Sequence, residues 1–283
     1  MNTLWAYVAW MRPAGLAVTF VWVFTGWAAS PRHPTTFEGV LTDMMWLLGV
    51  NGLLLWSGTN AINGAEDDDD GPVNLLTTPP PKPRYLGPVG YGLLGLASVA
   101  ALTRGPTAAA LVAVAAGLGC VYSVRGMPWP RGKDIVGVDI AINALGCGLG
   151  SVLLGWASTG MPLNGEVVWV GLAFSVAVFG GFPTSQIFQL GDGHRNWTAA
   201  VGPRRVLQLG TLLFLLHIAM LAPRGPWSGG PSLGMAVWVG TTLMAAVHSL
   251  WWSQTPHTDA YRRMQRQLGL LIVGQLAWSL AQL

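Results

Sequence analysis

Nine stretches of mainly apolar sequence, each close to 20 residues long, leave this chain few ways to fold. They run over 14–31, 43–63, 85–103, 107–124, 135–158, 165–188, 205–222, 232–252 and 266–283. A helix of that length crosses the hydrocarbon of a bilayer, and inside hydrocarbon only helices and closed barrels satisfy every backbone N–H and C=O. The alternating pattern of barrel strands is absent, so helices are expected. Charge points the same way: 15 Lys and Arg and 12 Asp and Glu make up 10% of 283 residues, where about a quarter is usual for a soluble domain. Trp5 and Trp10 precede the first run, where indoles favour the membrane interface. Arg12 and Pro13 lead into a full-length run with no small-residue cleavage site after it, which argues against a cleaved signal peptide. The expectation is an all-α membrane protein: one domain over 1–283, with nine transmembrane helices bundled around a central cavity.

If nine runs cross, their connections alternate between two faces. One face collects Arg12, Lys82, Arg84, Arg125, Arg131, Lys133, Arg195, Arg204, Arg205, Arg262, Arg263 and Arg266, which is 12 of the 15 basic residues; the other has Arg32, Arg104 and Arg224. Basic loops stay in the cytoplasm during insertion, so the N-terminus and the basic loops are expected there, in the inner membrane. The net charge of +3 then reflects topology and anionic membrane lipids, not nucleic acid. Cys120 and Cys147 fall inside runs and read as small buried residues.

The longest polar connection follows the second run and begins Glu66-Asp67-Asp68-Asp69-Asp70. Adjacent carboxylates at a membrane boundary repel one another, more so when partly desolvated. A solvated acidic loop is one reading. The other starts from helical spacing: Asn60 and Asn63 are three apart and Asn63 and Asp67 four, so the three share a face, and Glu66 and Asp70 pair at the same interval. Carboxylates beside an amide suit Mg2+, which keeps several waters and bridges to substrate phosphate. An EF-hand does not fit, because its twelfth position would be Thr77 and prolines from Pro79 bar the exiting helix.

Connections on the same face supply cations: Arg125, Arg131 and Lys133 after the fourth run, and His194, Arg195, Arg204 and Arg205, beside Asp192, after the sixth. Metal and guanidinium together neutralise a diphosphate and stabilise the charge on a leaving one. Polar residues also sit within the runs, where they normally face a cavity: Asp139 and Asn143 in the fifth, Gln186 and Gln189 in the sixth, His217 and His248 in the seventh and eighth. Each histidine also fits an interhelical hydrogen bond, and Asp139 fits either role. Gly146, Gly148 and Gly150 indicate close helix packing.

These residues resemble the UbiA superfamily of intramembrane prenyltransferases, which has nine helices and aspartate-rich motifs in the cytoplasmic loops after helices two and six. The family's first motif is Asn-x3-Asp-x3-Asp with a further Asn three residues on. Asn63, Asp67 and Asn74 match it, and Gly71 stands at the second Asp, with Asp70 or Asp68 adjacent. Tyr122, Ser123, Pro128, Pro130, Arg131 and Lys133 are similar to the segment between the motifs, and Arg12-Pro13 to the family's start. The second motif, usually Asp-x3-Asp, has here Gln186, Gln189 and Asp192.

The resemblance implies a Mg2+-dependent prenyltransferase acting on a polyprenyl diphosphate and an aromatic or other lipophilic acceptor. Asn63, Asp67, Asp70 and Asp192 would be metal ligands, with Glu66 and Asp68 as alternates; Asp67, Asp70 and Asp192 carry the catalytic role. Arg12, Asn63, Tyr122, Arg131, Lys133, Gln189 and Arg195 would hold the substrate. Trp56, Tyr122 and Trp129 are aromatic candidates for stabilising an allylic cation. A rarer branch, in which the prenyl chain attacks itself, implies a terpene cyclase, and the loss of motif carboxylates leaves open a non-catalytic prenyl-lipid-binding protein.

Overall fold

The computed structural model describes the chain except for residues 1–2, 68–77, 127, 191–195 and 225–231. Among the described residues helix is the only regular secondary structure, and each of the nine apolar runs falls mainly in a helix. α1 (Thr3–Trp10) leads to α2 (Leu16–Ala28), α3 (Phe37–Glu66), α4 (Leu86–Ala101) and α5 (Pro106–Ser123). Then come α6 (Val138–Ala157), α7 (Gly165–Gly181), the short α8 (Trp197–Val201), α9 (Pro203–Leu221), α10 (Leu233–Trp252) and α11 (Ala260–Leu280). Seven helices are long and apolar enough to cross a bilayer: α3, α4 with its final turn to Arg104, α5, α6, α7 continued to Ile187, α9 and α10. The expected count of nine adds two that fall outside those seven. α2 is only 13 residues long, and the first turns of α11 carry Arg262, Arg263 and Arg266.

Neighbours in sequence pack side by side, and α11 returns to pack on α2, so the helices close into a ring. Lipid tails are as apolar as leucine, so close packing and hydrogen bonds, not hydrophobic transfer, hold such a ring together. Among the described glycines, the closest approaches to a neighbouring backbone are between α2 and α6. A Cβ added to Gly26 would lie 1.8 Å from the Val152 carbonyl oxygen, and one on Gly155 would lie 1.9 Å from that of Val23. The two backbones therefore touch, glycine against carbonyl, in both directions. Of the glycines singled out from sequence, Gly148 packs on the Ser175 backbone of α7, with 2.5 Å to Cα from its virtual Cβ, while Gly146 lines a cavity.

α3 and α6 each contain a widened, π-helical stretch, Leu48–Trp56 and Ala144–Gly150. In both, the following serine closes the turn twice over. Ser57 sends its N–H and its hydroxyl (3.3 Å) to the Gly52 carbonyl, and Ser151 does the same to Gly146. Such bulges change the direction of side chains along a helix, and both of these border the interior cavity.

At the end of the bundle remote from the acidic run, Arg104 closes on Asp43 at 2.6 Å and lies 5.5 Å from the centre of the Trp46 ring. The second oxygen of Asp43 accepts from the Trp27 indole N–H at 2.8 Å. This cluster joins α2, α3 and the end of α4. Gly155→Ala is expected to cost more than the roughly 1–3 kcal/mol of ordinary overpacking, because the new methyl meets backbone. Thermal unfolding of purified Gly155→Ala in detergent, followed by light scattering or fluorescence, checks this; unchanged unfolding would contradict the close crossing.

Candidate functional site

The site begins where α3 ends. Asp67 leaves the helix with an extended backbone, its N–H still bonded to the Asn63 carbonyl at 3.0 Å. Its side chain is therefore carried past the last turn and faces the connection between α5 and α6. Asp67 is 5% exposed, so its charge must be met locally. Its Oδ1 accepts from Arg131 Nη1 at 3.2 Å and from the Lys133 ammonium. The same ammonium is 3.5 Å from Asn63 Oδ1, which also accepts from the Ser123 hydroxyl at 3.3 Å. One cationic atom thus sits where an amide oxygen and a carboxylate oxygen converge. Burial, with help from Arg12, pushes the Lys133 amine down to about 8, against the pull of Asp134 and Glu66.

Arg131 is held in place by Asp134, which takes its guanidinium through two bonds, 2.6 Å from Nε and 3.1 Å from Nη2. This i,i+3 pair fixes the planar fork, so Arg131 Nη1 reaches Asp67 and the Glu66 carbonyl (3.4 Å) without further ordering. Glu66 itself points elsewhere: its carboxylate accepts the Arg125 backbone N–H at 3.0 Å and pins the loop after α5. On the other side Arg12, 6% exposed, stands in the left-handed region at φ 54° between α1 and the turn starting at Pro13. A residue before proline is disfavoured in the right-handed helical region, so the chain breaks here and α1 departs from α2. α1 is then tied down by the Trp10 indole N–H, which donates to the Pro80 carbonyl at 2.9 Å.

These groups open into a cavity of about 220 Å3 lined by Arg12, Asn63, Asp67, Tyr122 and Lys133 among others. Of the three aromatic candidates, Tyr122 and Trp56 line it, while Trp129 is 49% exposed. Asp68, Asp70, Asp192 and Arg195 lie outside the described residues, as does the side chain of Gln189. Among the described residues no cluster of three or more His, Cys, Asp or Glu side chains is placed to hold a metal ion.

Asp139 has a different place from the mouth residues. It is fully buried and accepts the Gly137 N–H at 3.0 Å, the Gln186 amide at 3.0 Å and the Trp197 N–H at 3.2 Å. The Gln186 oxygen in turn accepts from Thr198 at 2.8 Å. Both ends of Gln186 are used, and the carboxylate ties the start of α6 to the segment after α7 and to α8. The sequence reading missed three contributors: Asp134, although Arg131 and Asp134 show the i,i+3 spacing of an ion pair, and Thr19 and Asn51 in the cavity wall. Asn51 donates to the Thr19 carbonyl at 3.1 Å; an amide in the middle of an apolar run was the available signal.

A bundle with seven helices long and apolar enough to cross a bilayer, closed around a buried polar cavity, defines an integral, multi-pass membrane protein. No protein-family model matches the sequence, and no curated protein does either. Solved structures do match. A UbiA homologue from Archaeoglobus fulgidus bound to DMAPP and Mg2+ superposes with a TM-score of 0.66 at 14% identity, covering 94% of this chain and 98% of that one. The same homologue bound to Cd2+ gives 0.61 at 14%, covering 97% and 99%. A digeranylgeranylglyceryl phosphate synthase gives 0.65 at 16%, covering 100% and 99%. The chain has the UbiA fold over essentially its whole length.

Asp139→Ala strips three donors of their acceptor in a site closed to water, at about 1–3 kcal/mol for each one left unpaired. It is expected to lower the unfolding temperature by several degrees and to make the segment after α7 accessible to protease. Limited proteolysis with mass mapping checks it, and a wild-type digestion pattern would count against this role.

Proposed function

We propose that the protein is an intramembrane prenyltransferase that binds a polyprenyl diphosphate at the Asp67 end of its cavity, ionises it with Mg2+, and passes the prenyl group to a lipophilic acceptor. One observation carries this reading: Asn63 and Asp67 offer hard oxygens to a single cationic atom at the mouth of the cavity. The Lys133 ammonium stands in there for a harder cation, and the donor set of amide and carboxylate oxygens fits Mg2+, which needs only one or two carboxylates when substrate phosphate completes its shell. Asp67 and Asn63 are the described residues assigned to the ion; Asp70 and Asp192, with Asp68 as alternate, are proposed from the sequence, whereas the Glu66 carboxylate is turned to the Arg125 backbone N–H. Bound there, Mg2+ would supply Lewis-acid neutralisation of the diphosphate.

The chain's own residues do the rest. Arg131, oriented by Asp134, presents a fork suited to phosphate oxygens, and Lys133 adds a point charge beside it. Arg12 is proposed to close the cluster from the opposite side, and Arg195 and Gln189 to act from the connection after α7. As the C–O bond to diphosphate breaks, its electron pair leaves with the diphosphate, and these cations stabilise the developing charge. The allylic cation left behind faces Trp56 and Tyr122, whose ring faces stabilise positive charge without offering a strong nucleophile. Orientation follows the basic loops, so the mouth is proposed to open to the cytoplasm. The structural relatives support the assignment: the Archaeoglobus homologue was solved with DMAPP or GPP and Mg2+.

Diphosphate release from farnesyl, geranylgeranyl and longer diphosphates, with and without Mg2+ and with a panel of lipophilic acceptors, tests the proposal in detergent. Release is expected to need Mg2+ and to fall by about 100-fold or more in Asp67→Asn, on the scale of losing a transition-state electrostatic partner. Asp134→Ala is expected to weaken donor binding about tenfold by freeing Arg131, the worth of one charge-assisted bond. Release indifferent to Mg2+ and to Asp67→Asn would sink the reading. No release with any acceptor would favour a binding protein, and a cyclic hydrocarbon formed without acceptor would favour a cyclase.

A further inference from the structure

Two cavities meet inside the bundle. The one that opens at Asp67 reaches Trp56, Asn143, Cys147, Phe182 and Ser185, and these five residues also wall a second cavity of about 130 Å3. The second is enclosed by α2, α7, α9, α10 and α11, and no Asp, Glu, Lys or Arg is among its described lining residues. Its threonines, its histidine and both its glutamines are engaged within the fold. Thr184 and Thr242 donate to backbone carbonyls at 2.6 and 2.8 Å. His217 lies 2.8 Å from the Ala173 carbonyl and receives the Trp238 indole N–H at 3.4 Å. Gln275 donates to Thr25 at 3.3 Å, and Gln267 bonds to His248 on α10. Side chains paired in this way leave little for a polar head group to bind, and a wall without charge suits hydrocarbon.

The first cavity ends differently. Asn51, five residues further along α3 from Asp67 than Trp56 is, lines it together with Thr19 and Ser151. A hydrocarbon tail running inward from the Asp67 end therefore meets polar side chains beyond Trp56, while the way past Trp56 into the second cavity leads to apolar wall. Trp56 stands at that fork. Its ring is seated against the start of α2, where a Cβ added to Gly15 would lie 2.7 Å from Trp56 Cζ2. The buried indole Nε1 has no hydrogen-bond partner among the described residues, so packing alone sets the place of the ring.

We propose that the prenyl chain of the donor passes Trp56 and ends in the second cavity, so that Trp56 and the wall behind it select the length of the chain. This rests on the transferase reading above and adds to it the part of the site that measures the donor. The far end of the chain meets Phe174, Trp238 and Leu271, which line the second cavity, in place of Asn51 and Ser151. A chain gains little by leaving lipid for an apolar wall, so selection is by fit: one methylene more than a pocket holds costs about tenfold or more. Ala177 and Gly181, small residues of α7 in that wall, leave the space that a longer chain fills.

The test is photolabelling of the full chain in nanodiscs with geranyl, farnesyl and geranylgeranyl diphosphate analogues that carry a diazirine at the far end of the chain. Labelled residues are located by mass spectrometry, and only label that unmodified geranylgeranyl diphosphate displaces is counted. The geranyl probe is expected on the first cavity and the shared wall, and the geranylgeranyl probe on Phe174, Trp238 and Leu271. Ala177→Phe, which fills the second cavity away from the diphosphate, should drive the geranylgeranyl label out of it. The same variant should lower the geranylgeranyl-to-geranyl ratio of diphosphate release about tenfold or more. Trp56→Ala should raise that ratio, which is taken within one variant and so is untouched by a loss of cation stabilisation common to both donors. Geranylgeranyl label on Ser151, on the α5 wall or at lipid-facing positions, no displaceable label, or ratios unchanged in both variants would each overturn the proposal. Wild-type labelling decides it if Ala177→Phe does not fold. Release from the donors with the far-end label elsewhere counts against this proposal alone; far-end label in the second cavity with no release from any donor counts against the transferase reading alone.

Discussion

Inside a bilayer a buried carboxylate has no water to turn to, and the two buried acids near the site meet that constraint in opposite ways. Asp139 is met by N–H donors alone, two from the backbone and one from Gln186. Those donors are permanent parts of the fold, so the charge works as a fastener, binding the start of α6 to the segment that follows α7. Asp67 is met by the long side chains of Arg131 and Lys133. Long cationic side chains can change partners at modest cost, whereas backbone N–H groups cannot. The same electrostatic demand thus yields a rigid joint in one place and an exchangeable cluster in the other.

The cavity depends on that joint. Asp139 and Gln186 hold the end of α7 against α6 beside the mouth, while the glycine-to-carbonyl crossing of α2 and α6 holds the two helices in backbone contact at Gly26 and Gly155. Between these fixed points α3 and α6 each carry a widened turn, and the side chains facing the cavity, Asn51 and Trp56 from one and Cys147 from the other, come from those turns. A rigid frame with irregular backbone only where it borders the interior is the arrangement that lipid permits. It also explains how a chain so poor in charge assembles a charged site: Arg131 and Lys133 meet the buried Asp67 at one end of the cavity, where little water reaches the carboxylate.

The fold was legible because the bilayer makes span length a hard requirement, and every apolar run found in the sequence is mainly helical. At the site, Asn63 and Asp67 were legible from helical spacing, and Arg131 and Lys133 from their place in a basic loop on the same face. Glu66 shows the limit of that logic. It shares the acidic run with Asp67, but it precedes the helix end and Asp67 follows it, so the two carboxylates diverge and Glu66 serves the Arg125 backbone. Asp139 and Gln186 likewise lie 47 residues apart, and neither reveals its partner until α6 and α7 lie together. Gly155 was hidden for a related reason: in a chain with 38 glycines, the one that touches a neighbouring backbone is known only from the crossing.

By itself, then, the sequence determined that the chain is helical and where its apolar runs lie, because a bilayer reads length and hydropathy locally. It also determined which residues could bear charge at a boundary, since helical spacing is a local property. Tertiary structure alone decided which charges answer one another, which glycine permits contact, and that a second cavity, with no Asp, Glu, Lys or Arg among its described lining residues, lies behind the first. Those are facts about approach between distant segments, and neither composition nor spacing carries the distance between two helices.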